Sequence, residues 1–162
     1  MKAAYYYRPG EIKVEQVDVP SIADNEILVR IRAATICGTD LRIYKHGHFK
    51  IPDDERRVLG HEIAGEIVKV GDLVEGFSEG LRVAIPPNIG CGLCKFCRQG
   101  YNNMCPNYEA FGVSIDGGFQ EYMRVPNIAI RGGNIFPLPD HVNYQEAALV
   151  EPLSCVYNGL RA

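Results

Sequence analysis

Four closely spaced cysteines constrain the fold of this chain more than any other feature of its sequence. Cys91, Cys94, Cys97 and Cys105 follow the spacing C-x2-C-x2-C-x7-C. Zinc takes four ligands at the corners of a tetrahedron and binds thiolate sulfurs at about 2.3 Å. Two intervening residues let the chain wrap far enough to place successive sulfurs on one ion. The spacing therefore predicts a structural zinc site, closed by four thiolates and lacking an open coordination position.

Disulfides, an iron–sulfur cluster and plain buried thiols are the alternatives for the same four cysteines. Two disulfides among cysteines this close would be strained, whereas an iron–sulfur cluster also accepts cysteines at two-residue spacing. Residues 1–8 lack the apolar core of a signal peptide. We therefore expect a cytoplasmic protein, in which cysteines more often bind metals than form disulfides.

The composition fits one ordinary globular domain. The chain has 162 residues, of which 46% are hydrophobic and 23% charged, and its formal net charge is -3. A nucleic-acid surface needs clustered basic residues, and a membrane span needs about 20 consecutive apolar residues. The sequence has neither pattern, so we expect no nucleic-acid partner and no membrane partner.

The chain up to residue 125 is predicted to be mainly β structure. From residue 27 apolar side chains alternate with Leu28, Arg30 and Arg32, which is the period-two pattern of a half-buried strand. Glycine and proline pairs separate this strand from other short candidates, at 2–7, 13–17, 63–70, 81–85 and 119–125. Many short strands with such breaks indicate a barrel or a sandwich.

The C-terminal residues are predicted to form two helices. Asn143 and Glu146 have the spacing of a capping box, which would open a helix running through Val150. Pro152 would end that helix and start the next, since proline suits the first helical position. The second helix carries an apolar stripe at Leu153, Val156, Tyr157 and Leu160. Because this stripe runs to the end of the chain, we expect the sequence to be a fragment.

Cys37, His61, Glu62 and Glu151 form a second candidate group. Each residue alone has an ordinary structural explanation, such as a small buried thiol or an acidic residue at a helix start. Together they offer one thiolate, one imidazole and two carboxylates. That mixed set suits a zinc ion with an open coordination position, as catalytic zinc sites have.

Several motifs resemble the zinc-containing medium-chain alcohol dehydrogenases, especially their sorbitol (polyol) and threonine dehydrogenase branch. Residues 60–74 match the signature G-H-E-x2-G-x5-G-x2-V, and residues 37–40 read C-G-T-D. The cysteine tetrad and E-P-L-S at 151–154 follow in the same order as in that family. The resemblance covers nearly the whole chain.

The resemblance implies a mainly β, GroES-like β-barrel with a structural-zinc lobe and C-terminal helices. The catalytic domain would occupy residues 1–150, with the zinc lobe at about 88–108. Residues 151–162 would start a connecting helix that leads toward a nucleotide-binding Rossmann domain. That domain is expected to be absent from this chain, because the sequence contains no G-x-G-x-x-G turn.

The resemblance also implies roles for individual residues. Cys37 and His61 would bind the catalytic zinc ion, and Glu62 would lie beside the metal, binding it directly or exchanging with water. Glu151 would face the zinc directly or through water, with Cys155 as its weaker rival.

Two further residues would support the chemistry. Thr39 would accept the substrate proton, and Asp40 would hold the second nitrogen of the ligand histidine. Many relatives carry a relay histidine where this chain has Arg42, so the proton is expected to leave through His46, His48 or water.

Three aromatic residues are candidates for lining the substrate pocket, with the hydrophobic core as the equally weighted alternative. They are Tyr44, Phe49 and Phe111.

The function implied by the resemblance is that of a zinc-dependent NAD(P) alcohol or polyol dehydrogenase. In the full-length enzyme a zinc-bound alkoxide would pass hydride to NAD or NADP, and the enzyme would be a homo-oligomer, either a dimer or a tetramer. We expect two zinc ions per chain, one catalytic and one structural, and no turnover by the fragment alone. The alternative is a zinc-stabilised barrel that acts as a non-catalytic binding module.

Overall fold

The computed structural model describes residues 1–161 and shows a mainly β domain with helices at its C-terminal end. In chain order the elements are β1 (Lys2–Arg8), β2 (Glu11–Gln16), β3 (Ile27–Thr35), α1 (Gly38–His46), β4 (Arg57–Val58), β5 (Glu62–Val70), β6 (Arg82–Ile85), β7 (Asn88–Ile89), α2 (Lys95–Arg98), β8 (Glu109–Ala110), β9 (Tyr122–Val125), α3 (Asn127–Arg131), β10 (Phe136–Pro137), α4 (Tyr144–Ala148) and α5 (Val150–Leu160). A short 3-10 turn, Asn102–Met104, follows α2.

The strands form three antiparallel sheets. The largest has the order β10-β6-β5-β3-β9, the second has the order β2-β1-β4, and β7 pairs with β8. Residues 119–121 join the first two sheets, because Ala4 N–H donates to Phe119 O at 2.9 Å and Ile31 N–H donates to Glu121 O at 2.9 Å. These single bonds bring the sheets together, but among residues 1–161 the strands do not close into a hydrogen-bonded barrel. The mainly β prediction is confirmed, and the closed barrel is not found.

Strand β3 lies in the largest sheet between β5, its central strand, and the edge strand β9. Its predicted alternation holds for Ile27 and Val29, which are fully buried, and for Arg30, which is exposed. Leu28 was expected to point outward but is only 7% exposed. The β3–β5 register shifts between Leu28 and Val29 and again between Ile31 and Ala33. Such bulges break the strict period of two.

The main core lies on the inner face of the largest sheet. It is built from fully buried aliphatic and aromatic side chains, including Ile27, Ile63, Ile67, Phe111 and Met123. Burying side chains of this size contributes about 1.5–3 kcal/mol each to the free energy of unfolding. Strand β5, which begins at Glu62, is anchored in this core through Ile63 and Ile67.

Helix α4 packs on the sheet through small residues. Ala147 and Ala148 contact Ala64 and Ala84, and all four are buried. The predicted capping box opens this helix, with Glu146 N–H donating to Asn143 Oδ1 at 2.9 Å and Asn143 N–H donating to Glu146 Oε2 at 3.0 Å. This part of the prediction is confirmed.

The break between the last two helices differs from the prediction. It falls at Leu149, and α5 begins at Val150 rather than at Pro152. Pro152 is the third residue of α5, where a backbone N–H has no partner inside the helix, so the missing donor costs nothing. The apolar stripe of α5 is exposed, with exposed fractions of 63% for Leu153 and 81% for Leu160. No helix among residues 1–161 is long and apolar enough to cross a membrane.

Candidate metal centres

The structure brings the four tetrad cysteines together. The sulfur atoms of the four residues all lie within 4.8 Å of one another: Cys91, Cys94, Cys97 and Cys105. The sulfur of Cys94 is 3.5 Å from that of Cys97 and 3.9 Å from that of Cys105. Four sulfurs bound tetrahedrally at about 2.3 Å from one ion lie about 3.8 Å apart. The cluster thus has the dimensions of a four-thiolate zinc site, and its thiols are free rather than disulfide-bonded.

Backbone amides of the same loop stabilise thiolate charge. The N–H groups of Leu93 and Cys94 lower the pKa of Cys91 to about 6. At the Cys97 thiol, desolvation and then the neighbouring sulfurs raise the pKa to about 12. Four thiolates at this spacing repel one another, so they need a cation among them to ionise together. This chemistry fits zinc.

The second cluster joins the start of β5, in the largest sheet, to the start of α1. Cys37 precedes α1, while His61 and Glu62 lie where β5 begins. One ligand atom from each of the three lies within 4.8 Å of the others. His61 and Glu62 are buried, with exposed fractions of 7% and 4%. One thiol, one imidazole and one carboxylate fit zinc and leave room for a further ligand.

Asp40 ties the two halves of this cluster together. It is 4% exposed, and its carboxylate accepts hydrogen bonds from Cys37 N–H at 2.9 Å and from Gly60 N–H at 3.1 Å. Its Oδ1 is also 3.4 Å from His61 Nδ1, an ion-pair contact rather than a hydrogen bond, because Nδ1 is a buried atom without a hydrogen-bond partner. Burial lowers the pKa of His61, but Asp40 and then Cys37 outweigh it and raise the pKa to about 9. Asp40 therefore faces Nδ1 of the His61 ring, which leaves Nε2 available to a metal.

Thr35 holds the carboxylate of Glu62. The two residues are directly paired across β3 and β5, and the Thr35 hydroxyl donates a hydrogen bond to Glu62 Oε2. Thr35 is not among the site residues predicted from the sequence. The available signal was its place two residues before Cys37 at the end of a strand, but its partner depends on a register that two bulges shift.

Glu151 lies near this cluster but outside it. Desolvation raises its pKa, His61 lowers it and Glu62 raises it, so the charges of both residues act on it. Cys155 Sγ lies 3.9 Å from Glu151 Oε1. Glu151 also lines an apolar cavity of about 490 Å³ between β6, α4 and α5. The predicted ligands Cys37, His61 and Glu62 are brought together, and Glu151 stands beside them.

A glycine crossing, in which the backbones of Gly60, Gly117 and Gly118 pack against one another, fixes the chain before His61. Gly60 has φ of +89°, and a Cβ there would lie 2.5 Å from the Phe119 ring. A Cβ on Gly117 would lie only 2.0 Å from Gly60 O. Backbone packs directly on backbone here, and Gly118 N–H donates to Gly60 O at 2.8 Å. Side chains are thereby excluded from the turn that presents His61.

The remaining candidates are more dispersed. Thr39 is half-buried on the first turn of α1, and Arg42 is exposed one turn later. The Tyr44 hydroxyl donates to Gly10 O at 3.2 Å, and Phe49 is 89% exposed. Phe111 is fully buried in the main core, so the core alternative is correct for it.

The domain is mainly β and carries two separate groups of side chains, the four-thiol cluster and the mixed cluster, each of which could hold a metal ion. The chain belongs to the alcohol dehydrogenase GroES-like domain family, whose sequence model matches residues 23–140. The GroES-like fold and the resemblance to zinc-containing medium-chain dehydrogenases are thus confirmed.

Three relatives illustrate the similarity. Sorbitol dehydrogenase of Bacillus subtilis (strain 168) is 40% identical over 156 residues, covering 95% of this chain and 43% of that protein. L-threonine 3-dehydrogenase of Xanthomonas axonopodis pv. citri (strain 306) is 37% identical over 142 residues, covering 87% and 40%. The crystal structure of 2R,3R-butanediol dehydrogenase from Bacillus subtilis superposes with a TM-score of 0.85 at 30% identity, covering 99% and 47%. The chain therefore spans less than half the length of these relatives.

Proposed function

We propose that this chain is the catalytic domain of a zinc-dependent, NAD(P)-linked dehydrogenase acting on a secondary alcohol or polyol. The observation that carries the proposal is the mixed cluster of Cys37, His61 and Glu62 within 4.8 Å, beside a separate four-thiol cluster. The names of the relatives support the substrate class, because sorbitol, threonine and butanediol all carry secondary hydroxyl groups. NAD or NADP would bind outside residues 1–162, since this sequence has no glycine-rich dinucleotide turn.

Zinc at Cys37 and His61, with Glu62 or water completing the site, would lower the pKa of a substrate hydroxyl by Lewis-acid polarisation. Thr39, two residues beyond Cys37 on α1, would accept the released proton. Asp40 would hold the His61 ring in one orientation and one tautomer, which raises its basicity as a ligand. Arg42 stands one helical turn after Thr39, where many relatives carry a relay histidine. The proton would therefore continue to His46, His48 or water.

The domain division follows the same proposal. Residues 1–150 would form the catalytic domain, with the four-thiol lobe at about 88–108, and 151–162 would lead into the nucleotide-binding domain. The whole enzyme would be a cytoplasmic homo-oligomer, either a dimer or a tetramer. These proposals rest on the family resemblance.

Zinc stoichiometry tests the proposal. Elemental analysis should find two zinc ions per wild-type chain, and one in each of the variants Cys37→Ser and Cys94→Ser. A single zinc ion in the wild type would instead favour the non-catalytic binding module. The chain alone should show no NAD- or NADP-linked oxidation of sorbitol, and measurable turnover would contradict that part of the proposal.

A further inference from the structure

Two carboxylates, one in the mixed cluster and one beside it, are candidate ligands of the same metal. Glu62 belongs to the cluster within 4.8 Å of Cys37 and His61, whereas Glu151 approaches from the first turn of α5. A site with Cys37, His61 and both carboxylates would be closed by four protein ligands. A site with only one of them keeps a position open for substrate. The function therefore depends on which carboxylate reaches the metal.

Glu62 is held from the sheet. Its side chain is buried, with 4% of the residue exposed, and the Thr35 hydroxyl donates to Oε2. Because Thr35 and Glu62 face each other across a central strand pair, this contact is fixed by the sheet register. It engages Oε2 and leaves Oε1 free of this hydrogen bond.

Glu151 is held from its own helix. Cys155 is four residues further along α5, so its thiol lies one turn away on the same face. Its Sγ is 3.9 Å from Glu151 Oε1, within the range of a weak S–H donor. This contact engages the carboxylate outside the cluster.

We propose that Thr35 and Cys155 are positioning residues that assign the two carboxylates, Glu62 to the metal and Glu151 to a place outside it. The inference rests on the proposed function, because it requires a metal at Cys37 and His61. It gives Cys155 a role distinct from that of a ligand. The Thr35 hydroxyl and the Cys155 thiol then keep one coordination position open.

Cadmium NMR of the chain loaded with Cd²⁺ tests this. Thiolates dominate the cadmium chemical shift, so the four-thiolate site and the one-thiolate site give separate resonances. In Cys155→Ala, Glu151 is released and joins the metal, so the one-thiolate resonance should move and the cadmium affinity of that site should rise. Cys155→Ser keeps a donor and should retain the wild-type resonance. The double variant Cys155→Ala with Glu151→Gln should also return toward it.

Thr35→Val replaces the hydroxyl with a methyl group, so the Glu62 carboxylate loses the hydrogen bond that Thr35 donates. The one-thiolate resonance should move and cadmium affinity there should fall about 10- to 100-fold, while Thr35→Ser restores both. The four-thiolate resonance reports whether each variant is folded. If Thr35→Val fails to fold, the Cys155 variants still decide the matter.

Several results would overturn the proposal. One is an unchanged one-thiolate resonance in Cys155→Ala or in folded Thr35→Val. Another is a shift in the control Val156→Ala, at an exposed neighbouring position, as large as the shift in Cys155→Ala. A two-thiolate resonance in the wild type that Cys155→Ala abolishes would make Cys155 a ligand and also overturn it. A wild-type spectrum with the four-thiolate resonance alone would instead defeat the proposed function, and this inference with it.

Discussion

Asp40 Oδ1 lies 3.4 Å from His61 Nδ1, while the same carboxylate accepts hydrogen bonds from the backbone on both sides of the cluster, at Cys37 and Gly60. One buried side chain therefore sets the position of the thiol loop, the turn before the histidine and the histidine ring. We propose that its role is to position these groups rather than to bind the metal.

Asp40→Asn should weaken metal binding more than it weakens the fold. The amide keeps one acceptor oxygen for the backbone but loses the charge that orients His61. We expect about 10- to 100-fold lower zinc affinity at the mixed cluster and a loss of about 1–3 kcal/mol in the free energy of unfolding. Zinc titration and urea denaturation measure the two effects. The exposed Asp72 supplies the control Asp72→Asn, which should change neither.

Cys94→Ser should lower the free energy of unfolding before it affects zinc binding at the mixed cluster. Cys94 is the N-cap residue of α2, where its sulfur accepts from Cys97 N–H, and it has two tetrad sulfurs within 3.9 Å. Loss of the metal from this lobe should cost at least about 3 kcal/mol, which corresponds to about 10 °C in Tm. Calorimetry measures the change, and Cys155→Ser, which removes an exposed thiol outside the tetrad, should leave Tm unaltered. An equal loss of zinc from both clusters would contradict the separation of the two sites.

His48 should titrate below its ordinary pKa of 6.5. Burial, and then the positive charges of Arg42 and Lys50, lower that pKa. Because the fold disfavours the charged ring, the unfolded chain binds more protons, and stability should decline as pH falls below 6.5 toward the folded pKa.

Proton NMR of the His48 ring measures this pKa, and Lys50→Met should raise it. His48→Gln should remove the corresponding part of the pH dependence in urea denaturation. A pKa at or above 6.5 in the wild type would refute the prediction.

Asn143→Ala should destabilise the C-terminal end of the domain. It removes the acceptor that Glu146 N–H uses, and N-cap losses of this kind cost about 1 kcal/mol. Urea denaturation of the variant measures the cost. Gln145→Ala at an exposed position in the same turn is the matched control, and similar losses in both variants would show that the cap contributes nothing specific.

The sequence predicted those features that depend on local spacing. The cysteine tetrad and the capping box at Asn143 rest on short motifs, each of which places its own atoms, whereas the grouping of Cys37, His61 and Glu62 came from their ligand chemistry and the family resemblance. The strand candidates, like the tetrad, were found from a local signal, the alternation around Ile27 and Val29.

Features that depend on register or on tertiary packing were missed. The partnership of Thr35 with Glu62 requires the exact alignment of β3 with β5, which the bulges of β3 shift. Phe111 is as compatible with a pocket as with a core until its neighbours are known. The start of α5 at Val150 escaped prediction because a proline is tolerated anywhere in the first helical turn, so Pro152 did not mark the boundary.

The crossing at Gly60 has a consequence for protein engineering. Its geometry depends on main-chain atoms of Gly60 and Gly117 in contact, with Phe119 closing the third side. A saturation library at these glycines should yield almost no folded members, whereas Cys37 and Glu62 take no part in these glycine contacts. Attempts to alter metal preference should therefore redesign Cys37 and Glu62, and should leave unchanged both the turn before His61 and the residue Asp40, which accepts a hydrogen bond from Gly60 N–H.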